Sequence, residues 1–350
     1  MCKKSAKPAF KTIPVEEAVG RVVPHDMTEI IPGKSKGPVF KKGQTISAGD
    51  VCRLQRMGKN NVYVLDLGEN QVHEDDAVFE LASALAGPGV EFSGQPGEGK
   101  LELRAAHQGL LKVNVEALTE FNMIDDVMCA SIHNNTPVEK GNSLAATRAI
   151  PLVIERRFLD QAVALAKENY PIFSVHTYTP MKVRVAIVGN EVYKGLIKDE
   201  FEAIVREKVE ELGGIIQEVN ILPDDKGTIA ATVRDYLDKD TDLIITTGGM
   251  SVDPDDVTRD GIEAAGFDEV NYSSAVLPGA MFLLGYTQKT AIMGLPACGL
   301  FHRRTIFDLV LPRIMSGERP GKREIAQLCH GGLCLNCKPC RYPRCSFGKA

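Results

Sequence analysis

Two segments of this chain carry residues whose types and spacing could do chemistry. In the first, residues 244–261 (IITTGGMSVDPDDVTRDG), two glycines end an apolar run and three carboxylates follow. Glycines let the backbone approach a ligand such as a phosphate, whereas Asp253, Asp255 and Asp256 would repel a bare anion. The segment therefore predicts either a solvated loop that caps a helix or a site that joins phosphate chemistry to a divalent cation.

The second segment is the C-terminal tail, residues 321–350, which holds five of the nine cysteines and six Lys or Arg residues against one Glu. Thiolates two residues apart can converge on one metal, so the tail predicts a zinc site or an iron-sulfur cluster. Redox-active or unstructured cysteines are the alternative, and we expect no packing role for the tail. The candidate ligands are Cys329, Cys334, Cys337, Cys340 and Cys345.

Composition narrows the class of protein. The chain has 350 residues, 44% of them hydrophobic and 25% charged, and a net charge of −5, as in ordinary globular proteins. It has no tract of about 18 apolar residues that could span a membrane, and its N-terminus lacks the apolar core of a signal peptide. We therefore expect a cytoplasmic protein without a membrane partner. Nucleic-acid binding is not expected, because the tail offers only Tyr342 and Phe347 for stacking.

The elements that must position the first segment follow Pro180. Apolar runs such as MKVRVAIVG, IIQEVNIL and DLIITTGG alternate with the helical patterns DEFEAIVREKVEEL and GTIAATVRDYL. This alternation predicts a parallel sheet with helices on both faces, in which ligands bind at the carboxyl ends of the strands. Those ends are residues 189–191, 223–225 and 246–256, so the acidic residues converge where a ligand is expected. The capping-loop alternative stays open.

The remaining patterns predict how the chain is divided. Residues 1–69 contain a short helix between prolines and then a helix and a strand, which we take as a head segment. Residues 70–178 combine strand-like pieces with a helix and form an α+β domain of unknown role. Residues 179–320 form the α/β domain, and residues 321–350 form the basic, Cys-rich tail. The predicted fold class is thus α/β, with smaller α+β domains before the parallel-sheet domain.

Five motifs follow one another between residues 181 and 317: VGNEVYKGLIKDEF, ILPDD, TTGGMSVDPDDVTRDGI, AVLPGAMFLLGY and GLPACGLFHRRTIFDLVLPRI. In this order they resemble the molybdopterin-binding domain of molybdenum-cofactor biosynthesis proteins. In the head, IPVEEAVGRVVPHDM and FKKGQTISAGDVCRLQRMGKNNVYVL resemble the molybdotransferase branch of that family. The resemblance implies a molybdopterin-binding protein and favours this branch over single-domain members.

The resemblance also implies an activity, a cofactor and partners. Enzymes of this branch insert molybdate or tungstate into molybdopterin, starting from the adenylylated pterin and using Mg²⁺. The expected partners are molybdopterin, molybdate or tungstate, and a receiving molybdoenzyme or another cofactor-assembly protein. Whether the chain forms a homo-oligomer stays open.

Carried over by position, the resemblance implies two sets of site residues. Asp225 and Asp256 would hold Mg²⁺ or act in catalysis, and Asp199 would either join them or simply cap a helix. The residues implied to bind the pterin and its phosphate are Gly189, Glu191, Thr247, Gly248, Gly249, Ser251, Thr258, Pro278, Gly279, Gly294 and Pro296.

The sequence departs from the branch at three places. Ala297-Cys298-Gly299 stands where the branch has Gly-Asn-Pro, Ala280 stands where it has Lys, and an Asp-Gly-Tyr-Ala stretch is not found. These differences leave open whether the chain is an enzyme. One alternative is a non-catalytic carrier, chaperone or sensor of the cofactor. Another is a competence-related nucleotide enzyme that shares the domain, as DDVTRD suggests.

Overall fold

The computed structural model describes residues 10–31, 35–65, 67, 70–94, 96, 97, 99–251, 253–267 and 269–349. The N-terminal residues 1–9, on which the absence of a signal peptide was judged, lie outside the described residues. Within the described part, no helix is both long and apolar enough to cross a bilayer. The chain divides into two compact units. Unit 1 comprises residues up to 106, 113–132 and 141–174, and unit 2 comprises residues 107–112, 133–140 and 175 onward.

Unit 1 starts with a small head. Its elements are β1 (Phe10–Pro14), a 3-10 helix (Val15–Ala18), β2 (Met27–Ile31), β3 (Ser35–Phe40), α1 (Ala48–Arg56) and β4 (Asn61–Leu65). Strands β1 and β4 pair antiparallel, and so do β2 and β3. Apolar side chains from these elements, including Phe40 and Leu54, are packed into a core of the head itself. The helix and the final strand predicted for the head are therefore present.

The middle of the chain has mixed structure. Its elements are β5 (Gln71–His73), α2 (Glu74–Leu85), β6 (Val90–Glu91), β7 (Lys100–Ala105), β8 (Gly109–Val113), α3 (Val115–Asn122), β9 (Val127–Ser131), β10 (Thr136–Val138), β11 (Ser143–Ala149), β12 (Val153–Glu155), α4 (Arg156–Glu168) and β13 (Phe173–His176). Strands β6, β7, β11 and β9 form an antiparallel sheet in that order. Strand β10 and most of β8 belong to unit 2, where they pair antiparallel. The finer division into four segments stays a prediction.

Unit 2 contains the α/β domain. Its elements are β14 (Lys182–Val188), α5 (Asn190–Tyr193), α6 (Phe201–Glu211), β15 (Ile215–Leu222), α7 (Lys226–Asp238), β16 (Leu243–Thr247), α8 (Thr258–Ala264), β17 (Glu269–Tyr272), β18 (Leu283–Tyr286), β19 (Ala291–Leu295), a 3-10 helix (Ala297–Leu300), α9 (Ile306–Met315) and α10 (Lys322–Gln327). The sheet order is β15-β14-β16-β19-β18-β17. The first four strands are parallel, whereas β18 pairs antiparallel with β19 and β17. The expected α/β class is confirmed, and the antiparallel end is an addition.

Alternation along the strands explains why helices cover both faces. In β14, Val183 and Val185 pack with side chains of α6 and α9, whereas Ala186 and Val188 pack with side chains of α7 and α8. Successive strand residues point to opposite faces, so a strand buried on both sides is apolar throughout. The run Val185–Val188 is buried at every position. This packing fixes the carboxyl ends of β14 and β16 at one edge of the sheet.

Candidate functional site

A cavity of about 1480 Å³ lies at that edge, within unit 2. Its lining comes from the segments that follow the parallel strands: residues 189–192 and 197–201 after β14, Asp224 after β15, residues 248–251 and 253–256 after β16, and residues 296–298, 300 and 302 after β19. Residues 277–281, between β17 and β18, complete this part of the lining. The position agrees with the general rule that parallel sheets bind ligands at the carboxyl ends of their strands.

The glycine pair after β16 forms a close backbone contact. Gly248 and Gly249 have φ angles of +80° and +57°, in a backbone region that residues other than glycine rarely adopt. A Cβ at Gly248 would overlap the carbonyl oxygen of Val188, and one at Gly249 would overlap the hydroxyl of Thr258. The turn therefore requires both glycines, and it presents bare backbone to the cavity.

Two of the predicted hydroxyl residues lie behind this turn. Thr247 and Thr258 are fully buried, and within the described part of the chain their Oγ1 atoms have no hydrogen-bond partner. The Thr258 backbone N–H donates to the Gly249 carbonyl (3.2 Å), which holds the turn against the start of α8. Neither threonine is among the described residues that line the cavity. Their place is beneath the glycine turn, next to the lining.

The adjacent aspartates after β15 have different environments. The Asp224 carboxylate lines the cavity and accepts from the Asn190 backbone N–H through Oδ2 (2.7 Å). Asp225 instead caps α7, where its Oδ1 accepts from the backbone N–H and the hydroxyl of Thr228, both at 2.7 Å. These hydrogen bonds, first that of the Thr228 side chain, lower the pKa of Asp225. Asp225, expected at the site from the sequence, is not among the described lining residues, and its neighbour Asp224 lies there.

The other acidic candidates do line the cavity. Asp256 lies on the loop before α8, where its Oδ2 accepts from the Asp253 backbone N–H (3.2 Å). Asp199 lines the cavity. Its carboxylate also accepts from the backbone N–H groups of Phe201 and Glu202 at the start of α6. Glu191 lies in α5 on the same lining. A rim of carboxylates thus faces the glycine turn.

The lining also contains positions where the sequence departs from the branch. Ala280, Ala297 and Cys298 all line the cavity. Burial raises the pKa of the Cys298 thiol, so the thiol form is favoured there. Gly279 has a φ of +126°, and a Cβ there would overlap Ile306 of α9. The changed positions therefore alter the surface that a ligand would meet, rather than remote parts of the domain.

The tail supplies a further wall of the same cavity through Leu333, Cys334 and Asn336. The Leu277 N–H donates to the Gly332 carbonyl, and the Cys334 N–H donates to the Leu277 carbonyl, both at 2.8 Å. This wall was not predicted, because residues 332–336 show no strand or helix pattern. Two backbone hydrogen bonds attach it to the cavity edge.

The expectation that the tail has no packing role is wrong. Phe347 is 2% exposed and belongs to the core of the α/β domain, together with Ile325 and Leu328. Pro312 lies inside α9 and has no N–H, so the Asp308 carbonyl lacks the donor that a regular helix provides four residues later. The Tyr342 hydroxyl donates to that carbonyl (3.1 Å). The tail thus completes the hydrogen bonding of α9 and part of the core.

The structure groups four of the five tail cysteines and leaves the fifth apart. A second cavity of about 30 Å³ is bordered by four of them, and Cys329 is not among its described lining residues. The four are Cys334, Cys337, Cys340 and Cys345. Among the residues that the structure describes, no three His, Cys, Asp or Glu side chains are already arranged to hold a metal ion.

Taken residue by residue, the cavity brings together most of the predicted site. The predicted residues on its lining are Gly189, Glu191, Asp199, Gly248, Gly249, Ser251, Asp256, Pro278, Gly279 and Pro296. Gly294 lies in β19 against Met250 and is not among the described lining residues. Sequence reasoning missed Asp224, Cys298 and the tail wall. For Asp224 the signal was present, since it directly precedes the chosen Asp225.

Comparison with known proteins adds a family to this geometry. Residues 184–316 match the family model described as "Probable molybdopterin binding domain", and residues 12–66 match a domain of unknown function. The chain is 28% identical over 186 residues to the molybdopterin molybdenumtransferase of Haemophilus influenzae, covering 47% of this chain and 44% of that protein. It is 38% identical over 78 residues to a CinA-like protein of Thermosipho melanesiensis, covering 22% and 19%.

Among solved structures, the molybdopterin biosynthesis enzyme MoaB of Thermus thermophilus covers 39% of this chain with 98% of its own, at 21% identity and a TM-score of 0.34. The chain spans less than half the length of the two curated relatives. The α/β domain belongs to the molybdopterin-binding domain family of molybdenum cofactor biosynthesis.

Proposed function

We propose that this protein binds adenylylated molybdopterin in the larger cavity and inserts molybdate or tungstate into it. The observation that carries the proposal is the meeting of a bare glycine turn and a carboxylate rim in one cavity of a molybdopterin-binding domain. The volume of about 1480 Å³ exceeds the roughly 300–1,000 Å³ common for drug-sized ligands. A pterin joined to a nucleotide is a ligand of suitable size.

The glycine turn supports the phosphate end of such a ligand. Gly248 and Gly249 leave no Cβ between the backbone and the cavity, so a phosphate can come close to main-chain dipoles there. The buried hydroxyls of Thr247 and Thr258 lie directly behind the turn and add polar groups beneath it. The pterin would then contact other lining residues such as 278–281 and 296–298.

The carboxylate rim calls for a cation, because it would otherwise repel the phosphates. Mg²⁺ is usually held by one or two carboxylates together with phosphate oxygens of a substrate, and such a site needs no cage of three protein ligands. Asp224 and Asp256 are the lining carboxylates that fit this requirement, with Asp224 in place of Asp225. Bound there, Mg²⁺ would neutralise phosphate charge.

The test compares Asp256, on the loop before α8, with Asp260, in the first turn of α8. Asp256→Asn should lower metal insertion by about 100-fold or more, because catalysis through a cation depends on charge. Its affinity for molybdopterin should change by only a few fold, since binding is spread over many groups. Asp260→Asn is the matched control, because Asp260 is exposed on α8 and is not among the described lining residues. Insertion is measured as protein-bound molybdenum or tungsten in the pterin.

Two other outcomes lead to the alternative functions. Wild-type chain that binds molybdopterin and never yields a metallated product is a carrier, chaperone or sensor. Chain that ignores molybdopterin and cleaves a nucleotide instead is a competence-related nucleotide enzyme, the candidate favoured by the CinA-like relative. Mass spectrometry of the co-purified ligand distinguishes these outcomes before any assay of turnover.

The proposal includes the setting of the reaction. The metallated cofactor passes to a molybdoenzyme or another assembly protein, and the reaction takes place in the cytoplasm. A zinc ion or an iron-sulfur cluster in the tail is a separate part of the proposal, supported by the spacing of the cysteines.

A further inference from the structure

Four tail cysteines surround one small space, although they are spread over 12 residues of sequence. Cys334, Cys337, Cys340 and Cys345 all border the cavity of about 30 Å³. The spacing alone offered five candidates, and it did not say which four would meet. The fold selects them, because Cys329 lies just after α10 and outside this lining.

The size of the space decides which metal centre it suits. A cavity needs about 10–15 Å³ of this kind to hold one water molecule, so about 30 Å³ has room for one or two water-sized groups and suits a single ion. Zinc binds four thiolates as a tetrahedron with Zn–S distances of about 2.3 Å. An iron-sulfur cluster with four irons and four sulfides needs several times that room. We propose that these four cysteines bind one zinc ion, and that the ion holds the tail wall of the larger cavity in place.

The charges around the small cavity suit this site. Zinc with four thiolates carries a net charge of −2, which is costly to place beside carboxylates. The lining contains two cations, Arg304 and Arg341, and among its described residues no Asp or Glu. The remaining lining includes the buried ring of Phe347.

Ligation would change the structure around the cysteines. No three of the thiols are yet arranged to hold an ion, so binding must draw the sulfur atoms inward. A cysteine sulfur can move by rotation about one bond, between the staggered positions of its side chain. The metal ion would then fix the backbone of residues 334–345 at four cysteines, in addition to the contacts of the tail with α9 and with the core.

Cys334 connects the two cavities, since it borders both. Its backbone N–H donates to the Leu277 carbonyl, and Leu277 and Pro278 line the larger cavity. A metal ion on the Cys334 sulfur therefore fixes the edge that residues 277–278 share with the tail. This part of the inference rests on the proposed function only for the identity of the ligand in the larger cavity.

The test uses the full chain and needs no pterin. Protein purified under reducing conditions is stripped with a chelator, reloaded with Zn²⁺ or Co²⁺, and analysed for bound metal. We expect one ion per chain and, with Co²⁺, the absorption bands of a tetrahedral thiolate site. Cys337→Ser should lower the affinity for Zn²⁺ by at least about 10-fold, whereas Cys329→Ser, an exposed tail cysteine outside the lining, should leave it unchanged.

A second measurement tests the connection between the cavities. Hydrogen-deuterium exchange of peptides that contain Leu277 and Cys334 should slow at least 10-fold when Zn²⁺ is restored, because their amides form the hydrogen bonds at the shared edge. Peptides of β11 in unit 1 serve as the internal control.

Each result has a defined meaning. A chain without bound zinc, or one with iron and labile sulfide, overturns the single-ion site, and equal loss in Cys329→Ser overturns the choice of ligands. Exchange that ignores the metal overturns the connection. A chain that binds zinc yet no molybdopterin contradicts the proposed function and leaves this inference standing.

Discussion

The larger cavity has two walls of different origin. One wall is formed by loop residues 248–251 and 253–256, which follow the buried strand β16 and lie within the residues matched by the family model. The other is formed by residues 333–336 of the tail, beyond the end of that match at residue 316. Membership of the domain family thus accounts for the first wall and carries no information about the second.

The two walls also depend on different forces. The loop wall depends on a close approach between two backbone segments. A side chain at Gly248 would overlap the Val188 carbonyl oxygen. The tail wall is held by packing and a few hydrogen bonds, with Phe347 in the core and Tyr342 on α9. The two walls should therefore be destabilised by different substitutions.

The largest effect is expected where the tail enters the core. Phe347→Ala should destabilise unit 2 by about 3–5 kcal/mol, because a fully buried ring leaves a cavity when it is truncated. Phe347 is 2% exposed, whereas Phe301, directly after the 3-10 helix Ala297–Leu300, is 82% exposed. Phe301→Ala, the matched control, should change stability by less than about 0.5 kcal/mol. Urea unfolding followed by circular dichroism gives both values, and similar losses in the two variants would show that the tail is not anchored by packing.

The loop wall should lose stability through strain. Gly248→Ala should cost about 2–3 kcal/mol, since the new Cβ meets the Val188 carbonyl in a left-handed conformation. Gly213, after α6, has nearly the same φ of +79° but open space around it. Gly213→Ala should therefore cost only about 1 kcal/mol, the conformational part alone. Thermal unfolding of the two variants measures the difference. If they are equally stable, the close approach at Gly248 plays no part.

The same contrast explains what the sequence could predict. The strands β14, β15 and β16 and the helices α6 and α7 were predicted correctly, because β14 and β16 are largely apolar and each helix keeps an apolar face. Gly248 and Gly249 were assigned to the site because paired glycines at the end of such a run mark a close backbone approach. Local pattern and tertiary position agree in this wall.

The sequence failed at one local choice between neighbouring aspartates, and it failed where position depends on neighbours far away in the chain. Asp224 and Asp225 follow the same strand, and only the start of α7 decides that Asp225 caps the helix and Asp224 lines the cavity. In the tail, Leu328 and Phe347 are buried without any helical or strand period between them. Buried residues of this kind show no local sequence pattern. The sequence therefore predicted a metal-binding tail that does not pack on the domain.

A smaller effect is expected from the hydrogen bond between the tail and α9. Tyr342→Phe should destabilise unit 2 by about 1–2 kcal/mol, because the Asp308 carbonyl would lose its donor opposite Pro312. Tyr193→Phe, at an exposed position, should have no measurable effect. Urea unfolding measures both. No loss in Tyr342→Phe would mean that water takes the place of the hydroxyl, and the tail wall would then depend on apolar packing alone.

The smallest effect concerns pH and the end of the tail. Burial lowers the pKa of Lys349 below its ordinary 10.5, with Cys345 acting in the opposite direction, and the ammonium donates to the Thr136 hydroxyl. Between the lowered pKa and 10.5 the unfolded chain binds more protons at this lysine than the folded chain, so stability contributed by this site rises with pH across that window. Lys349→Met should remove this rise, which we expect to be below about 1 kcal/mol because the site is only partly buried. The exposed Lys338→Met should keep it. Unfolding free energies measured from neutral to alkaline pH give the slope, and identical slopes for wild type and Lys349→Met would place the ammonium in solvent and the end of the tail off the domain.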